Sequence, residues 1–158
     1  MHLMLLCLLA TGQADKDTDK YLDDRGDLTD TLTVSDLQSG AIRGVVVQRG
    51  RKWTIEPSGQ WTLAQVAGTM ERVVAKGKLS KSARAGLAKA LETYDLKGLK
   101  SDKDGKAGAA GHVVSIEFGG TKAELKLPPG APLPGASKKK DPGRIVGILR
   151  AVEKRCHR

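Results

Sequence analysis

The stretch Arg51-Lys52-Trp53-Thr54-Ile55-Glu56-Pro57-Ser58-Gly59-Gln60-Trp61-Thr62-Leu63 decides the fold class. Proline pre-sets the backbone at the first central position of a turn. Glycine supplies the left-handed residue that closes a three-residue loop with a type I turn and a G1 bulge. That loop pairs Glu56 with Gln60, Ile55 with Trp61 and Trp53 with Leu63. Successive strand residues point to opposite faces, so Trp53, Ile55, Trp61 and Leu63 share one face while Thr54 and Thr62 share the other. Turn chemistry and hydrophobic pattern specify the same register independently, which makes this a half-buried antiparallel hairpin.

A second hairpin reads the same way. His112-Val113-Val114-Ser115-Ile116-Glu117-Phe118 is followed by Gly119-Gly120 and then Thr121-Lys122-Ala123-Glu124-Leu125-Lys126-Leu127. A two-residue Gly-Gly loop pairs Phe118 with Thr121 and Glu117 with Lys122. Val114, Ile116, Phe118, Ala123, Leu125 and Leu127 then face one way, and Ser115, Glu117, Lys122, Glu124 and Lys126 the other. This is the alternation of an antiparallel sheet with one wet side.

Upstream, Leu32 and Val34 begin a period-two pattern; the break Ser39-Gly40 and the run Val45-Val46-Val47 predict two separate strands. Met70-Glu71-Arg72-Val73-Val74 predicts another. Ser80 suits a helix N-cap with Leu79 packing back on the first turn. Ala83, Leu87, Leu91 and Tyr94 follow on one stripe, which Gly86 weakens by about 1 kcal/mol relative to alanine. Leu96 and Leu99 tuck a short turn under the fold, ahead of a glycine-, lysine- and aspartate-rich loop from Ser101 to Gly111. After a proline-rich connector from Pro128 to Gly135, Asp141 as cap and Pro142 at the first position open a last helix. Its stripe is Ile145, Ile148, Leu149 and Val152. The order of elements predicts an α+β domain: an antiparallel sheet of about five or six strands covered on one face by two helices.

The chain has 158 residues, room for one domain with a real core. MHLMLLCLLATGQA, residues 1–14, carries an apolar stretch from Leu3 to Ala10 and a small-x-small end at Gly12-Gln13-Ala14. It reads as a secretion signal cleaved after Ala14, so the expected location is periplasmic or extracellular. No other stretch approaches the ~20 apolar residues of a membrane span. Cleavage removes Cys7 and leaves Cys156 alone, which excludes an intrachain disulfide; that thiol is then buried, reactive or available for a dimer. Residues 15–30 hold seven aspartates against three basic residues and almost no large apolar group. They read as an acidic, disordered leader ahead of a single domain over 31–158.

The net charge is +9, and setting the leader aside raises the remainder to +13. Such a balance favours acidic partners. One basic cluster is Lys97, Lys100, Lys103 and Lys106; another joins Lys138, Lys139 and Lys140 to Arg144, Arg150 and Lys154, with Arg155 and Arg158 beyond. The first six of the second cluster are the expected contacts for an anionic partner such as a cell-envelope polymer. Nucleic acid is disfavoured, because single-strand binders interleave charge with stacking aromatics. The chain has only five aromatics, and Trp53, Trp61 and Phe118 fall on the expected core face.

No catalytic, cofactor or metal site stands out. His112, His157 and Cys156 offer no pair at zinc-ligand spacing, and adjacent Cys156 and His157 diverge on a helix. No phosphate-binding glycine loop is present. Glu56, Glu71, Glu92, Glu117 and Glu124 contain no pair that spacing singles out for acid–base work. The leading expectation is a non-catalytic exported interaction or inhibitor-like module. The alternatives are a small envelope hydrolase using carboxylates that spacing leaves unpaired, and a basic domain that binds anionic polymer.

In layout over residues 32–155, the two hairpins, the Gly77-Lys78-Leu79-Ser80 helix start and the Tyr94-Asp95-Leu96-Lys97-Gly98-Leu99 turn resemble a set of uncharacterised small exported bacterial α+β proteins. More remotely, the chain resembles the emfourin type of metalloprotease inhibitor, which implies a protease partner. Where that class carries a glycine- and aromatic-rich segment, this chain has Ser39-Gly40-Ala41-Ile42-Arg43-Gly44.

Overall fold

The computed structural model describes residues 20–100 and 111–157. The expected secretion signal, the first part of the expected acidic leader and the loop at 101–110 lie outside the described residues. Six strands form one antiparallel sheet: Leu32–Ile42 (β1), Val45–Ile55 (β2), Gln60–Ala67 (β3), Met70–Lys78 (β4), Gly111–Phe118 (β5) and Thr121–Leu127 (β6). Their order across the sheet is β4-β3-β2-β1-β5-β6. Helices Lys81–Thr93 (α1) and Asp141–Arg155 (α2) pack on one face, with a short 3₁₀ turn at Leu96–Gly98. The arrangement is the α+β fold that the element order implies.

Both hairpins take the register that their turns dictate. The Glu56 N–H donates to Gln60 O at 2.8 Å, the Gly59 N–H donates to Glu56 O at 2.8 Å, and Gly59 has φ +84°. Ile55 then lies opposite Trp61, and Trp53 opposite Leu63. In the second hairpin Gly119 and Gly120 have φ +53° and +77°, and Phe118 faces Thr121. The inward side chains of both hairpins meet Leu87 and Leu91 of α1 and Ile145, Ile148, Leu149 and Val152 of α2 in one core. Ser80 caps α1 by accepting from the Ala83 N–H at 3.2 Å.

Four local expectations need correction. The pair Ser39-Gly40 does not break the first strand: β1 runs through it to Ile42, and the turn falls at Arg43-Gly44, with φ +50° and +78°. A strand glycine weakens pairing without ending it, and Gly40 stays in register opposite Val47. Strand β4 continues past Val74 to Lys78, because a bulge between Leu63 and Ala64 absorbs one residue. Asp141 is the first residue of α2 rather than its cap, and its carboxylate meets Arg144 at 2.7 Å instead of the helix amides.

The fourth correction concerns the leader, which is folded from residue 20 onward. Tyr21 and Leu28 are buried in the core, Tyr21 with its ring 5.8 Å from that of Phe118. The Leu28 N–H donates to Pro57 O at 2.9 Å, docking this segment on the central hairpin turn. Buried Arg84 of α1 holds the junction: it donates to the carbonyls of Gly26, Ser58 and Leu79 and pairs with Asp27 at 3.1 Å. Two apolar anchors and one multidentate arginine suffice to order a stretch whose composition is otherwise that of a solvated tail. Gly86 also has a structural reason, since Arg155 of α2 lies across it and donates to its carbonyl at 3.0 Å.

Candidate interaction surface

The helices are too short to cover the sheet. A helix of 15 residues spans about 22 Å and an 11-residue strand about 36 Å. The helix-facing row of β2 reads, from its covered end, Ile55, Trp53, Arg51, Arg49, Val47, Val45; that of β1 reads Leu32, Val34, Asp36, Gln38, Gly40, Ile42. Burial ends where apolar gives way to polar. Val34 and Trp53 are buried, whereas Gln38, Arg49, Ile42 and Val45 are exposed.

A polar rim closes the core at that level. Asp36 binds His112 Nε2 through one carboxylate oxygen and Arg51 through the other, at 3.3 Å. Arg51 also pairs with Glu153 on the last turns of α2 at 2.8 Å, and Glu153 with Arg150 at 2.7 Å. The Arg51 guanidinium lies 4.9 Å from the centre of a Trp53 ring, capping the indole. Composition alone does not reveal this cluster. The signal that could have found it is the switch from apolar to charged residues at constant strand parity, Val34 to Asp36 and Trp53 to Arg51.

Among the described residues, the β1–β2 hairpin stands free beyond the rim. Its last lateral partners are Gly111, opposite Ser39, and Ala67, opposite Arg49, with one more bond from the Gly68 N–H to Gln48 O at 2.7 Å. Three further residue pairs extend about 10 Å past that level. Ile42 and Val45 project on the helix side and Val46 on the opposite side, all exposed, with Val45 at 64 %. On the neighbouring β3–β4 hairpin Met70 is 71 % exposed and Val73 is exposed as well. Arg43, Arg49 and Arg72 accompany them and make no hydrogen bond or ion pair among the described residues. Residues 37–50 contain no acid at all.

No family model and no curated protein matches this chain. Its surfaces therefore carry the functional argument. The six expected anionic-partner contacts do not converge. Lys138, Lys139 and Lys140 are exposed just before α2, whereas Lys154 is exposed at its far end, about 20 Å away along the axis. Arg144 is a structural residue: it donates to the carbonyls of Tyr94 and Asp95 and pairs with Asp95 and Asp141. Arg150 is engaged by Glu153.

The opposite, uncovered face of the sheet carries a shallow depression of about 630 Å³ whose lining includes Thr33, Ser35, Thr54, Ser115, Glu71 and Glu117. Glu71 pairs with Lys52 at 2.9 Å, and Glu117 lies opposite Lys122. Lys122 itself binds Glu124 at 3.0 Å, and these neighbours raise its pKa. Glu71 and Glu117 are thus each set beside a lysine of the sheet. Among the described residues no three His, Cys, Asp or Glu side chains gather as a metal site, and no helix is long and apolar enough to cross a membrane. Cys156 is buried at the end of α2, and burial pushes its thiol up to about 12.

Proposed function

We propose that the chain is an exported, non-catalytic interaction module that binds through the free end of its sheet. The observation that carries this reading is the cluster of exposed Ile42, Val45, Val46 and Met70 in a fold whose other large apolar side chains are mostly buried in one core. Large apolar side chains left exposed together at one end of a sheet offer an interaction surface. The arginines beside it favour a partner with negative charge, the same preference the sequence carries in its overall balance.

The test is chemical crosslinking of the full chain in its native extract, comparing wild type with an Ile42→Glu/Met70→Glu variant and with Lys89→Glu as a remote control. Crosslinked products lost only in the first variant support the reading. Products that persist there and vanish on Lys138→Glu/Lys139→Glu/Lys140→Glu overturn it in favour of the basic segment ahead of α2.

A further inference from the structure

Resting on that reading of the free end as the binding surface, we infer that its partner is an anionic lipid surface, into which the β1–β2 hairpin tip dips. Three features of the tip point the same way. Its apolar residues lie on both faces of the ribbon, Ile42 and Val45 on one and Val46 on the other. A groove on a protein would engage one face, whereas immersion in an interface engages both. The tip projects about 10 Å past its last lateral neighbours among the described residues, matching the ~5–10 Å to which peripheral elements bury apolar groups at the headgroup boundary.

The arginines complete the match. Arg49 and Met70 sit at one level across the sheet, since Arg49 lies opposite Ala67 and Ala67 opposite Met70. Arg72, opposite Gln65, lies one step further back. With the tip immersed, Arg49 and Arg72 stand where lipid phosphates would be, and the stem of Arg43 is long enough to snorkel back toward them. No acid between residues 37 and 50 opposes that field. A second copy of the chain would instead bring unpaired arginines together.

Arg43 adds an independent mark. It occupies φ +50°, in a turn where the next residue is Gly44 at φ +78°. The left-handed region costs a side-chain-bearing residue roughly 1–2 kcal/mol, and glycine or asparagine would fit it better. The arginine makes no hydrogen bond or ion pair among the described residues that would offset this strain. A side chain kept in that conformation without a structural partner is consistent with a role in binding.

Co-sedimentation of the full chain with phosphatidylcholine vesicles, with and without phosphatidylglycerol, tests the assignment. Wild type should partition at least about tenfold more strongly to the anionic vesicles, and Arg49→Glu/Arg72→Glu should lower that partition by about tenfold or more. Val45→Ser/Val46→Ser should weaken it as well. Arg43→Gly is the decisive variant because it should raise the unfolding midpoint while lowering vesicle binding, a divergence that misfolding cannot produce. Equal binding to uncharged vesicles, or binding that survives all three changes, overturns the lipid assignment. Absence of vesicle binding in wild type, with crosslinks that still depend on Ile42 and Met70, also overturns it while leaving the interaction surface standing.

Discussion

The two ends of strand β2 have similar apolar content and opposite fates. Trp53 and Ile55 are closed over by helices; Val45, Val46 and Val47, equally apolar and equally β-forming, run out past the last helical turn. The difference lies in what the rest of the chain supplies on that face, not in the strand itself. At the covered end burial holds the fold together. At the other end the same residue types stay exposed, and the rim of Asp36, Arg51, His112 and Glu153 marks the boundary.

Substitutions along this one strand should expose the division, beginning with the largest effect. Trp53→Ala removes a buried indole and should cost about 3–5 kcal/mol in urea unfolding. Val45→Ala on the same helix-facing row should stay within about 0.5 kcal/mol. Equal losses would abolish the distinction between the two ends. Gly50→Ala acts near the boundary, where an added Cβ would collide with the Asp36 carbonyl oxygen and lie 2.9 Å from Leu37 Cα. Backbone must move there, so a cost of about 1–3 kcal/mol is expected. A neutral result would mean that the close approach of β1 and β2 at this row does not matter.

Asp36→Ala should cost about 1–3 kcal/mol by leaving His112 and Arg51 without their shared acceptor. Its effect on vesicle partition should be small, because the rim belongs to the covered end. The pH dependence of stability sharpens the same contrast. Burial raises both the Cys156 thiol, from 9.0 to about 12, and the Tyr21 phenol, so the folded chain keeps protons that the unfolded chain releases. Stability should therefore be intact below pH 9 and decline as pH rises toward 12. Cys156→Ala should remove part of that decline in pH-dependent unfolding curves; an unchanged slope would contradict the burial of this thiol.

How much of this was legible beforehand follows from the range of the interactions. The two hairpins are written locally, in Pro57-Ser58-Gly59 and Gly119-Gly120 and in the alternation beside them, so their registers can be read without the fold. The docking of residues 20–30 is not local. It depends on Arg84, 58 residues beyond Gly26, whose donors find the Gly26 and Ser58 carbonyls only once α1 is packed. The free end is equally hidden, because Val45-Val46-Val47 looks like a core strand until helix length is set against strand length. The surroundings of the basic residues along α2 are hidden for the same reason. Charge is visible in the sequence, but the bonds that engage Arg144 and Arg150 are not.

Hydrogen exchange of the full chain, followed by peptide with and without phosphatidylglycerol vesicles, tests the central claim most directly. The account predicts fast exchange at the tip amides of residues 40–47 and slow exchange at the paired amides of residues 51–55 in the free protein. Added vesicles should protect residues 40–47 and 66–72 and leave the remainder unchanged. Protection confined to residues 138–154, with none at either hairpin tip, would contradict it.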